Sequence, residues 1–196
     1  VVTLLEQTTA RKPHLGCFGM HEWAMVYRTE RPRHAHVPLR MDPDTLAAFV
    51  ESHPITCTHF DAFRFFTEAA RPLNRFQPTR DTIHELEQPG CLHANMDLYR
   101  WAYKFYPWVG SDLIADAFLL ACRIRTLDMQ ASPYDLRAYG LEPIPIETPE
   151  GRRRYRALQE QFYREAQPIR RRLLQTLRTL LELAVTNAPT PADGVA

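Results

Sequence analysis

TPEGRRRYRALQEQFYREAQPIRRRLLQTLRTLLELA, running from Thr148 to Ala184, is the longest stretch with a single period. Thr148 and Pro149 are a helix-start pair, because proline suits the first helical position. Tyr155, Leu158, Phe162, Ile169, Leu173, Leu177 and Leu180 then recur at helical spacing and define one apolar face. Pro168 falls inside this run and predicts a kink or a break there. One long amphipathic helix of this kind needs helical partners.

Partners are legible upstream. Leu113, Ala117, Leu120, Ile124 and Leu127 repeat at the same period after Ser111, read as the cap. In ANMDLYRWAYKFY, Leu98, Trp101, Ala102 and Phe105 share a face. MDPDTLAAFVESH opens with Asp42 as N-cap and Pro43 at the first helical position, with Leu46, Phe49 and Val50 inward. Met20 to Arg28 reads as a short helix, and SPYD predicts a short helical turn capped by Ser132. Ile55 to Phe66 is different: ITCTHFDAFRFF is β-branched and aromatic, which suits a strand or extended segment. Ile55, Cys57, His59, Asp61 and Phe63 would share one side, with a helix starting near Asp61 as the secondary reading. Ala70 to Gly90 is irregular and proline-bearing, and EPIPIE is extended because its prolines forbid helix. The fold class is therefore mainly α: one globular helical domain over residues 1–186 with a few short extended segments, followed by a disordered tail over 187–196. The opening VVTLLEQTTA reads as the tail of a helix, without an initiator Met, and predicts a further N-terminal portion.

Composition narrows the function. With 45% hydrophobic and 24% charged residues the chain has the balance of a soluble globular protein, and no apolar run reaches the length of a membrane span. No signal peptide is visible, so a reducing cytoplasm is the expected location. A net charge of +1 excludes a global basic field, and no protein partner is identifiable. Lys12 and Lys104 are the only lysines; the arginine bias suits phosphate recognition, and it also follows from GC-rich coding. Arg152, Arg153 and Arg154 head a basic stripe on the last helix that could track DNA phosphates or simply face water. Only seven glycines are present, and none forms a phosphate-cradling loop or nucleophile elbow.

Cysteine and histidine occur together three times: His14-Leu-Gly-Cys17 with His21 following, Cys57-Thr-His59-Phe-Asp61, and Cys91-Leu-His93. Thiolate, imidazole and carboxylate are the donors that a divalent metal such as zinc or iron selects, which makes His14, Cys17, His21, His59 and His93 candidate ligands. The bland alternative is core cysteines beside hydrogen-bonded histidines. His21-Glu22 begins like HExxH, but Met25 stands at the second histidine position, so that motif is absent. Glu22, Asp61 and Asp97 are candidate acid/base groups, since a carboxylate in an aromatic surround can titrate high. Asp97 lies four residues after His93, on the same side of a helix. Trp23, Phe60, Phe63 and Trp101 could stack on a planar base, or could be core.

The strings HLGCFGMHEWAMVYR, HFDAFRFFT, QPGCLHANMDLYRWAYK, ASPYDLR and PIPIETPEGR resemble a bacterial family, found mainly in high-GC genomes, whose members are named 3-methyladenine DNA glycosylases. The resemblance spans roughly Pro13 to Leu174. It implies hydrolysis of an N-glycosidic bond, an aromatic pocket for a flipped base, and Asp61 or Asp97 assisting water or stabilising charge on the sugar. The glycine-rich hairpin of helix-hairpin-helix glycosylases is absent. Two further expectations stand beside it: a metal-dependent enzyme acting on a small molecule, and a non-catalytic binding module.

Overall fold

The structure, a computed structural model, describes residues 1–186; the expected tail lies outside the described residues. These form one helical domain with eight α-helices and no sheet: α1 (Val2–Ala10), α2 (Met20–Ala24), α3 (Pro43–Glu51), α4 (Phe60–Phe63), α5 (Ile83–Leu86), α6 (Leu92–Lys104), α7 (Ser111–Ala131) and α8 (Pro149–Thr186). Extended pairing is limited to two isolated bridges, Leu39 with Tyr134 and Ile55 with Asn74. No helix among the described residues is long and apolar enough to cross a membrane.

Helices α6, α7 and α8 pack pairwise and carry the core; α1 lies against α5 and α8, and α2 against α3. The buried faces are those the helical period demands. On α7 they are Leu113, Ala117, Leu120, Ile124 and Leu127; on α8, Tyr155, Phe162, Leu173 and Leu177. Helix α3 is capped as expected, with the Asp42 carboxylate accepting from the Asp44 and Thr45 amides.

Three local expectations are corrected. Pro168 does not break α8, which is continuous; Pro168 and Arg164 both lie on the exposed face, so the carbonyl released by the missing N–H meets water. Gly110, rather than Ser111, takes the cap position of α7. Ser132 opens no helical turn: Tyr134 pairs with Leu39, which holds the chain extended, and a 3-10 turn forms only at Arg137–Tyr139. The ITCTHFD stretch resolves into both of its readings, extended to His59 and helical from Phe60.

Two contacts place the site-bearing segments. Gly19 caps α2 in the left-handed region at φ 75°, and a Cβ there would stand 3.3 Å from Ala131 Cβ and 3.4 Å from Tyr155 Cε2. Trp23 then donates its indole N–H to the Ala131 carbonyl at 3.0 Å, so α2 is fixed against the end of α7. The extended segment before α4 is fixed by buried Asn74, which donates to the Cys57 carbonyl at 2.9 Å and accepts from the Cys57 amide at 2.8 Å.

Candidate metal centre

Helix α2 contributes His21 and Glu22, and α7 contributes Arg125 and Asp128. Helix α6 places His93, Asp97 and Arg100 on one side, at the i, i+4, i+7 spacing of a single face. The extended segment adds His59, α4 adds Asp61, and the turn after α5 adds Glu87. That turn is held by Arg11, which donates to the Glu87 carbonyl at 2.9 Å. These side chains meet in the interior as two adjoining groups.

The first group is His21, His93 and Asp128, whose donor atoms lie within 4.8 Å of one another. His21 Nε2 donates to Asp128 Oδ1 at 2.8 Å, and Cys17 Sγ lies 3.4 Å from His21 Nδ1. The His93 ring meets His21 edge-on at 4.7 Å. Arg125 donates to Asp128 Oδ2 at 2.5 Å and to Glu22 Oε1 at 3.0 Å. Burial alone would push the His21 imidazolium down in pKa, but the Asp128 charge and hydrogen bond outweigh it and raise it well above the ordinary value. Asp128 is fully buried, yet the same partner lowers its carboxyl pKa. His93 goes the other way: burial, then the His21 charge, lowers it and keeps it neutral. Burial and the Asp128 charge raise Glu22, against the pull of His21 and Arg125.

The second group is His59, Glu87 and Asp97, again within 4.8 Å of one another. His59 Nε2 stands 3.4 Å from Glu87 Oε1 and 3.3 Å from Asp97 Oδ2. His59 Nδ1 is buried without a partner among the described residues. Burial raises the Glu87 carboxyl, and the nearby His59 moderates the effect. His93 links the groups, its ring centroid 5.3 Å from that of His59. Arg100 bridges outward, donating to Asp61 Oδ2 at 2.6 Å and Asp97 Oδ2 at 3.3 Å.

Most of the residues singled out in the sequence come together here. His21, Glu22, His59, His93 and Asp97 are at the centre, and Cys17 is beside it. Cys17, Cys57 and Cys91 line one small cavity of about 10 Å³ with His21 and His93, so the three Cys/His groups of the sequence converge. Burial raises the Cys57 and Cys91 thiols, which holds them protonated. Asp61 is one step out, ion-paired to Arg100 and Arg64; burial opposes but those partners lower its pKa. His14 is apart, exposed, with Nε2 2.9 Å from Thr56 Oγ1.

The stacking candidates are spread out. Trp23 is fully buried in the core and tilts against Phe49, and Phe63 packs on Phe66. Phe60 is half-buried under Arg80, and Trp101 is flanked by Arg100 and Lys104. Arg152 donates to His53 Nε2 at 2.7 Å, Arg153 pairs with Glu150, and Arg154 is exposed.

Asp128, Glu87, Arg100 and Arg125 were not singled out. For Asp128 a signal exists: it continues the Leu120, Ile124 series of α7 and puts a carboxylate on an apolar stripe. Glu87 lies in an aperiodic turn, where spacing carries no information. Compared with family models, curated proteins and solved structures, the chain matches none.

Proposed function

We propose that the chain is a metal-dependent enzyme acting on a small molecule, with a divalent zinc or iron ion held by His21, His93 and Asp128. The observation that carries this reading is the convergence of two imidazoles and a carboxylate, from three separate helices, within 4.8 Å in the interior. Two histidines and one carboxylate are a donor set for divalent zinc and non-haem iron. When bound, such an ion polarises a substrate oxygen or lowers the pKa of bound water.

The chain's own groups support this chemistry. Neutral His93 has a lone pair to offer, and Arg125 orients the Asp128 carboxylate by its second oxygen. Glu22 and Arg125 also form part of the wall of a cavity of about 400 Å³, together with His34, Tyr134, Tyr139 and Leu141. A cavity of this size suits a small, largely apolar substrate. Glu22, with its raised pKa, stands between cavity and centre and is suited to carry a proton between them.

The test is the metal content of freshly purified protein by mass spectrometry, alongside His21→Ala and Asp128→Asn. Bound metal in the wild type, with one equivalent fewer in both folded variants, is the expected result. Folded wild-type protein that takes up no zinc, iron(II) or manganese would overturn the reading.

A second reading follows the glycosylase resemblance, and one observation favours it. A separate cavity of about 370 Å³ has Phe18, Met20, Phe49 and Ile146 in its wall and Arg152, Arg153 and Arg156 beside them. An apolar hollow flanked by arginines suits a flipped base beside phosphates. This reading expects base release from methylated DNA; Asp61 and Asp97, the carboxylates the resemblance implies, do not line this hollow. It also expects salt-sensitive binding, weakened when Arg152, Arg153 and Arg154 become alanine. Folded protein inactive on several alkylated DNAs would remove it.

A further inference from the structure

We infer that His59, Glu87 and Asp97 form a second metal site, so that the centre holds two divalent ions on either side of His93. The inference deepens the reading of a metal-dependent enzyme, but it stands on side chains that the first site does not use.

Spacing is the first argument. The His59 Nε2 distances to Glu87 Oε1 and Asp97 Oδ2 are 3.4 and 3.3 Å. A charge-assisted hydrogen bond between such groups is shorter, about 2.8 Å. The His59–Asp97 contact is a long hydrogen bond, and both distances are also those of the edge of a tetrahedron around a metal with bonds of about 2.1 Å, which is about 3.4 Å.

Unmet demand is the second argument. The Glu87 side chain is 8% exposed, so its carboxylate keeps a little solvent, and it takes no hydrogen bond among the described residues; its ion-pair contact is the long one to His59, whose Nδ1 is buried without a partner. Buried carboxylates are normally satisfied by several donors, because losing water is costly. Asp97 shares Arg100 with Asp61, and Asp61 holds it more closely, at 2.6 against 3.3 Å. Across the cluster, five carboxylates (Glu22, Asp61, Glu87, Asp97, Asp128) face three guanidinium groups (Arg64, Arg100, Arg125). Of the two negative charges that remain, His21 paired with Asp128 answers one, and one is left for a further cation.

Adjacency is the third argument. The His93 ring lies 4.7 Å from His21 and 5.3 Å from His59, so one imidazole borders both groups. Paired metal sites place their ions about 3.5–4 Å apart, close enough to act on one substrate group. One nitrogen and two oxygens at the second site suit manganese, iron or zinc.

The experiment is equilibrium dialysis of metal-stripped full chain against zinc(II) and against manganese(II), with bound metal counted by mass spectrometry. Wild type should bind two equivalents. Glu87→Gln with Asp97→Asn should bind one, and His21→Ala with Asp128→Asn should bind one. Circular dichroism confirms folding; should either double variant unfold, the isosteric Glu87→Gln alone should weaken one of two equivalents at least tenfold. One wild-type equivalent, untouched by the Glu87 and Asp97 changes and lost with His21 and Asp128, overturns the second site and leaves the first. One equivalent with the opposite dependence supports the second site and overturns the first. Two equivalents retained after the Glu87 and Asp97 changes, or none in folded wild type, also overturn it.

Discussion

Glu87 is the residue whose placement is hardest to explain by stability. Its carboxyl is buried and its pKa is raised, chiefly by loss of water. A carboxylate with a raised folded pKa is destabilising above that value, and the cost is relieved as pH falls through it. In metal-free protein at neutral pH, Glu87→Gln should therefore raise stability by roughly 1 kcal/mol, the scale typical when a functional site is relaxed. Thermal unfolding in a chelator would measure it. The stability difference between the variant and the wild type should also shrink as pH falls from neutral to mildly acidic, because only the wild type gains by protonating Glu87. A loss of 1 kcal/mol or more would instead make Glu87 a structural partner of His59. At this scale the sequence was readable where periodicity existed. Asp97 and His93 share a face by their spacing of four, and Asp128 interrupts an apolar stripe. Glu87 and Asn74 sit in irregular chain, and their roles depend on contacts from elements far away in sequence.

Among the elements, α8 shows how a local rule yields to packing. Gly151 lies in its first turn, where its amide donates to the Thr148 hydroxyl at 3.0 Å. Helix propensity alone would favour alanine there by roughly 1 kcal/mol. A Cβ at Gly151, however, would stand 1.9 Å from the Pro145 carbonyl oxygen, a backbone atom that cannot swing away. Gly151→Ala should thus destabilise by about 1–3 kcal/mol, the usual cost of overpacking, measured by chemical denaturation. An unchanged or higher midpoint would show that the EPIPIE segment gives way easily. The same segment explains what the sequence revealed of the elements. The long helices were plain, since each carries an apolar face, and the cap of α3 was plain from Asp42 and Pro43. The fate of ASPYDLR was not, because Tyr134 is held extended by Leu39, a partner nearly a hundred positions earlier. The continuity of α8 through Pro168 likewise depends on which face meets water.

For the whole molecule, the centre joins segments that the chain keeps far apart. His21 and Asp128 are separated by 107 positions, and His59 and Asp97 by 38. Helices α2, α6 and α7 must be in place for the first donor group, and α6 with two irregular segments for the second, so metal binds the folded chain and not the unfolded one. Binding of that kind stabilises by about 2.7 kcal/mol at a free concentration of one hundred times Kd. For a domain of this size each kcal/mol moves Tm by roughly 2–4 °C, so the rise should be roughly 5–11 °C for each ion bound. Differential scanning of metal-stripped protein, with and without zinc or manganese, measures this directly, and excess chelator should reverse it. His21→Ala and Glu87→Gln should each reduce the rise without abolishing it, because each removes a donor from one group and leaves the other intact. A rise that survives both changes unaltered would mean that the ion binds elsewhere, on the surface carboxylates. The buried histidines and carboxylates would then be a polar core that the chain keeps for another reason.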